Sequence, residues 1–218
     1  MDILDDLKRK LGKEWLIDGE RSIQDKFGEL ATMLLGNVAI RKGGKIYAIE
    51  EIEFYLYHDS HRDIITYPRN CEAGRWFFHA SGVDIAFESH VEMKINEKNV
   101  CKPHLTRTAF FGGILIRAIS ETASGIHIKG PMKVVDELFD QFDAFGNLTD
   151  FPTLVAIALG SCQCKPAIAR HNLLPRGKTI EEKVNGILRY DYSASEIPTE
   201  DIYGSFAEFL KAPYRYTT

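Results

Sequence analysis

The stretch IEEIEFYLYHDSH, from Ile49 to His61, alternates apolar and polar side chains so regularly that it admits little besides a β-strand. Successive side chains on a strand point to opposite faces. Ile52, Phe54 and Leu56 therefore form one face, and Glu51, Glu53, Tyr55 and Tyr57 the other. The first face belongs to a core. The second sets carboxylates beside phenols, which an ordinary strand face does not require. A carboxylate flanked by aromatic rings loses water, its pKa rises, and it becomes suited to general-base work. The alternative is an exposed strand face whose acids are simply hydrated.

The surrounding chain predicts what this strand is built into. Ile23, Phe27, Leu30 and Leu34 fall at helical spacing, with Ser22 as N-cap and Gly36 as terminator. Residues 37–57 read as a hairpin turning at Lys42-Gly43-Gly44-Lys45, and RWFFHASGVDIAFES as a second, turning near Ala80-Ser81-Gly82. Between them, Asp59 to Gly74 is polar and loop-like. FFGGILIRAISE is a further strand, entered through a double glycine that lets backbone or ligand come close. GPMKVVDELFDQF predicts a helix begun by Pro131, with Val134, Val135, Leu138 and Phe139 as its apolar stripe. NGILRYDYSAS and the final PYRYTT have strand character. Strands and helices mix without a regular β-α-β alternation, and no repeat or Pro/Ser linker divides the chain. The expectation is an α+β single domain over residues 1–218, with a curved, largely antiparallel β-sheet, flanking helices and residues 1–21 as an N-terminal extension.

With 218 residues, 44% of them apolar, the chain is long enough to bury a core. Its net charge of -4 argues against a surface devoted to phosphate contacts, although only a contact face need be basic. The start, MDILDDLKRKLGKEWL, lacks the features of a signal or transit peptide, and no stretch has the apolar length of a membrane span. Cys71, Cys101, Cys162 and Cys164 then read as reduced thiols, and the expected location is cytoplasmic.

Several clusters have residue types suited to chemistry. HDSHRD supplies His58, Asp59, His61 and Asp63, possible metal ligands that His79, His90 or Cys71 would have to complete. GSCQCK sets Cys162 and Cys164 one residue apart without the second pair of a structural zinc site, so buried thiols are the better reading. Arg117 ends an apolar strand and needs an anionic partner: a phosphate, a carboxylate ligand, or one of the Glu51/Glu53 face. Cys162 to Lys178 has four basic residues and no acid, and Val100 to Ser120 has three and none, so the two stretches are candidates for a local anion-binding surface.

Taken in order, ELATMLLGNVAI, IEEIEFYLYHDSH, RWFFHASGVDIAF, GGILIRAI, GPMKVVDEL and KAPYRYTT resemble the alkyladenine type of 3-methyladenine DNA glycosylase. The likeness spans Leu30 to Tyr216, with a poorly matched patch between residues 140 and 186. It implies hydrolysis of the N-glycosidic bond of a damaged purine flipped out of DNA, as in base excision repair, with no cofactor and no metal. Glu53 matches the general base that activates water, and Tyr55 matches the tyrosine that stacks on the extruded base. Phe78 takes the place of the opposing aromatic, with His79 beside it, and Arg117 lies near the flipped nucleotide.

The sequence departs from the family pattern in places. Ser81 stands where an aromatic wedge fills the gap left by the flipped base, and serine cannot plug a base stack. Glu88 stands where a pocket asparagine discriminates against normal purines. The histidine after the strand has no match in register, only Asp59 or His61 across a gap. These departures fit a divergent relative acting on duplex DNA, single-stranded DNA or a nucleoside-like substrate. A non-catalytic nucleotide or aromatic-ligand binding protein on the same sheet is the alternative, and a metal-dependent hydrolase built on HDSHRD a further one.

Overall fold

The alternating strand is the spine of the fold. The computed structural model describes residues 2–139, 150–157, 164–171 and 173–218. In chain order the elements are α1 (Ile3–Lys10), α2 (Lys13–Ile17), α3 (Ile23–Asn37), β1 (Val38–Lys42), β2 (Lys45–His58), β3 (His61–Arg62), β4 (Trp76–His79) and β5 (Gly82–Ala86). Next come β6 (Glu92–Ile95), β7 (Cys101–Leu105), β8 (Phe111–Glu121), β9 (His127–Lys129), α4 (Pro131–Phe139) and β10 (Thr153–Ala156). The chain closes with α5 (Ile180–Asp191), β11 (Ala194–Ser195), α6 (Thr199–Phe209) and β12 (Arg215–Thr217).

The main sheet runs β10-β1-β2-β8-β5-β4 and is antiparallel throughout. One edge of β2 pairs along β8, while the other is shared by β1, β12 and β3. A small second sheet, β11-β7-β6, contains the parallel β11-β7 pair. The fold is thus α+β on a curled, largely antiparallel sheet. No helix among the described residues is long and apolar enough to cross a membrane.

Ile52, Phe54 and Leu56 pack under α1–α3 in one core, where Phe27 stacks on Phe54 with ring centroids 4.4 Å apart. Burying such side chains contributes roughly 1.5–3 kcal/mol each. Leu7, Leu11 and Leu16 belong to the same core, so residues 3–17 close one side of it. The other face of β2 is covered too. Tyr57 is fully buried in a second core formed with Phe111, Val184, Ile202 and Phe206, and Glu53 has no exposed surface. The hydrated strand face is therefore not what forms.

Two expectations need correction. The helix from Ile23 runs past Gly36 to Asn37 and passes directly into β1, so Gly36 is not its terminator; Ser22 caps the start as expected, accepting from the Asp25 N–H. Residues 185–195 are not one strand. Thr179 and Glu182 form a reciprocal capping box that starts α5, and Val184 at helical spacing anchors it against α6. Only Ala194–Ser195 pair as strand.

Register shifts interrupt the β2-β8 ladder near Glu50 and Arg117, which bends the strands and re-aims the Arg117 side chain. The double glycine serves the protein's own packing. A Cβ on Gly112 would collide with the Tyr55 carbonyl, and one on Gly113 would lie 2.8 Å from Arg69 Nη1.

Candidate functional site

β2 carries Glu53 between β12 and β8, opposite Arg215 on one side and Leu115 on the other. Three donors converge on its carboxylate. Tyr55 Oη donates to Oε2 at 2.8 Å, Arg117 Nη1 to Oε2 at 3.2 Å, and the His171 backbone N–H to Oε1 at 2.8 Å. A carboxylate has about four acceptor sites, so one on Oε1 is left over. Glu51 lies alongside, its Oε1 accepting from both Arg117 Nε and Arg215 Nε at 2.8 Å. The two readings of Arg117 merge: it pairs with both acids and also lines a cavity.

That cavity has a volume of about 290 Å³. Its sheet side includes Tyr55, Arg117, His79 and Ser81, and its far wall comes from α5. Glu53 sits immediately behind this lining, reached through Tyr55, Arg117 and His171. Burial, then the Glu53 charge, drives the Tyr55 phenol well above its ordinary pKa, so it stays a proton donor to Glu53. The Arg170 guanidinium lies 4.6 Å from the centre of the Tyr55 ring and holds that ring from one side.

Arg170 is itself fixed by a buried network. It pairs with Asp63 through Nη1–Oδ2 at 2.5 Å and Nη2–Oδ1 at 3.1 Å, and donates to the carbonyls of Phe54 and Phe209. Burial alone would lower its pKa; Asp63 outweighs that and holds it above the ordinary value. Arg170 thereby sets His171 and its N–H against Glu53.

The hairpin brings its neighbours to opposite faces. His79, opposite Gly82, faces the cavity. Ser81 N–H donates to its Nδ1 at 3.2 Å, so Nε2 carries the proton and donates to Asp84 Oδ1 at 2.9 Å. The ring stacks on Tyr67 with centroids 4.5 Å apart. Arg69 Nη1 approaches Asp84 Oδ2 at 2.7 Å, and its guanidinium covers Phe77 at 3.8 Å. Burial pushes Asp84 up, but Arg69 and His79 together hold it below the usual carboxylate range.

Phe78, expected as the wall facing Tyr55, points to the other face. It is 47% exposed and makes an edge contact with Phe139 at 4.7 Å, in a groove with Trp76 and Phe151. The aromatic surface at the cavity is His79 on Tyr67. Ser81 lies in the turn at the rim, 3.4 Å from Tyr67 Oη. Glu88 is not in the cavity; its Oε2 accepts from the Lys13 N–H at 2.9 Å.

The HDSHRD side chains have other partners. His61 bonds the Leu56 carbonyl and Tyr214 Oη, Asp63 holds Arg170, Asp59 accepts from Arg62, and His58 meets Ser60. Among the described residues no three His, Cys, Asp or Glu side chains gather as a metal site. A larger hollow of about 690 Å³, lined by His58, Asp59, Lys13, Lys26 and Arg107, shares no lining residue with the Glu53 cavity. No disulfide joins the described cysteines Cys71, Cys101 and Cys164; Cys162 lies outside the described residues. Of the basic stretches, Arg117, Arg170 and His171 reach the site, whereas Arg107 lines the other hollow.

Sequence reading overlooked Asp63 as an ion-pair partner, Tyr67, Arg69, Asp84, Arg170 and the α5 wall. Asp84 left a signal, an acid inside the apolar run GVDIAF, where a buried charge requires a partner.

Neither a family model nor a solved structure matches the chain. It is 28% identical over 133 residues to an uncharacterized protein of Acanthamoeba polyphaga mimivirus, a match covering 55% of this chain and 59% of that protein. The chain thus spans less than two thirds of that relative's length.

Proposed function

We propose that the chain is an N-glycosylase-like hydrolase of the alkyladenine type, in which Glu53 takes a proton from the water that attacks the sugar carbon of a damaged purine nucleotide. The observation that carries this reading is the buried Glu53 carboxylate, held by three donors with one acceptor site left, directly behind a cavity walled by Tyr55 and Arg117. Water bound at that site would lose a proton to Glu53 as its oxygen bonds to the sugar carbon. The N-glycosidic bond breaks, and its electron pair leaves with the purine. Alkylated purines leave as neutral bases; others take up a proton. Glu51 and Glu53 offset the positive charge that develops on the sugar. Tyr55 and the His79/Tyr67 pair supply flat surfaces for the base.

Duplex DNA is the default substrate, and Ser81 at the hairpin tip, which cannot wedge a base stack, suits single-stranded DNA or a nucleoside-like substrate instead. The test is base release from duplex and single-stranded oligonucleotides carrying hypoxanthine, ethenoadenine or alkylated purines. Release should fall by about 10²–10⁴ in Glu53→Gln, the usual contribution of a general base. Release unchanged in that variant would remove Glu53 from the chemistry.

One observation favours a second reading, a non-catalytic nucleotide or aromatic-ligand binding protein. Glu53 has no exposed surface, so the groups a ligand meets first are Tyr55, Arg117 and His171. Ligand binding without base release from any substrate would select it.

A further inference from the structure

On the sheet side of the cavity the charged groups have ion-pair partners close by: Arg117 with Glu51 and Glu53, and Arg69 and His79 with Asp84. The α5 wall differs. Lys183, Ile187 and Asp191 recur every four residues, so they form one stripe, and all three line the cavity. At 1.5 Å per residue the stripe is about 12 Å long, with a cation at one end, an apolar middle and a carboxylate at the other. Val184 in the second core, with Ile187 of the stripe packed against that core, anchors α5 and fixes the stripe's orientation. Among the described residues neither the Lys183 nor the Asp191 side chain makes a hydrogen bond or close ion pair. Asp191 is partly desolvated, which pushes its carboxyl up, and Lys102 and Lys183 oppose this only through longer-range attraction. An exposed surface charge needs no partner. A half-buried acid and amine facing one cavity are groups a ligand can satisfy.

We propose that this cavity takes a single free purine nucleotide, with Lys183 pairing with the phosphate and Asp191 accepting from the donor edge of the base. The proposal rests on the cavity assigned above to the glycosylase-like reaction and names its substrate class. A volume of about 290 Å³ is at the lower limit of ligand pockets, which run from roughly 300 to 1,000 Å³, and suits one nucleotide rather than a stacked run. A carboxylate accepts from base N–H donors. Tyr55 on one element and His79 on another offer flat surfaces to the ring. The turn residues Ala80 and Ser81 provide no aromatic wedge to hold open a duplex.

The test is calorimetric titration of the whole chain with guanosine 5′-monophosphate, guanosine and inorganic phosphate, repeated on Lys183→Ala and Asp191→Asn. Both side chains are partly exposed, and unchanged melting curves would certify the variants as folded. The nucleotide should bind at least about tenfold tighter than the nucleoside, and Lys183→Ala should erase that difference. Asp191→Asn should weaken both purine ligands while leaving the response to phosphate alone unchanged. The absence of nucleotide binding, or equal affinity in native protein and both variants, would overturn the proposal. Base release from oligonucleotides without mononucleotide binding would overturn it while leaving the glycosylase reading in place. Binding without release would do the reverse.

Discussion

Two aspartates line the same cavity, and their surroundings differ in kind. Asp84, on the sheet side, is fully buried, and Arg69 and His79 overcome the cost of that burial. Asp191, on α5, is half-buried with no contact partner, and burial wins. The same contrast runs through their neighbours. Arg117 is bonded to Glu51 and Glu53, and Arg170 to Asp63, whereas the Lys183 side chain faces the cavity uncommitted. Closed networks hold geometry; open groups are available for recognition. Under the proposed reaction the sheet side would position the reacting carboxylate, and the helix side would choose what reaches it.

If that division is real, changes on the sheet side cost stability and changes on the helix side do not. The largest effect is expected at Arg170. Arg170→Ala strands the buried Asp63 charge and should cost about 3–5 kcal/mol in denaturant unfolding, while a double replacement by Met at 170 and Leu at 63 should cost less than the single one. A double replacement as damaging as the single would show that packing, not the uncompensated charge, is what matters. His79→Ala comes next. It leaves Asp84 with one partner fewer and uncovers the Tyr67 ring, for an expected loss of about 1–3 kcal/mol.

The two aspartates also predict opposite slopes with pH. Asp84 has a folded pKa below its unfolded value of about 3.9, so its contribution is present above that pH and is lost as pH falls through the folded pKa. Asp84→Asn should therefore flatten the acid limb of the stability curve. Asp191 is raised, so its ionisation costs stability as pH climbs from about 3.9 through the folded value. Asp191→Asn should be neutral to slightly stabilising near neutral pH. Matching slopes from urea titrations of the two variants would erase the distinction. Smallest of all, Phe78→Ala should leave ligand affinity unchanged, because its ring lies on the other hairpin face; a loss of affinity would return it to the site.

The legible parts of this architecture were local. The period-two pattern of β2, the Gly43-Gly44 turn, the Ser22 cap and the Pro131 helix start each depend on residues a few positions apart, and each forms where expected. Glu53, Tyr55, His79, Ser81 and Arg117 are brought together because neighbouring strands carry them. Phe78 failed by one residue, since a strand's alternation turns a one-position error into the opposite face. The segment from 185 to 195 failed because its tyrosines and isoleucine have strand preference, while the capping box that starts α5 lies upstream at Thr179. Arg170 and Asp63 are 107 residues apart, and no pattern in the chain links them.

In the proposed reaction, water activated by Glu53 attacks the sugar carbon. That step is tested most directly by running base release in oxygen-18 water and weighing both products. The label should enter the sugar hydroxyl and be absent from the released purine, with the signal lost in Glu53→Gln. Label in the purine, or a sugar product without it, would contradict the account.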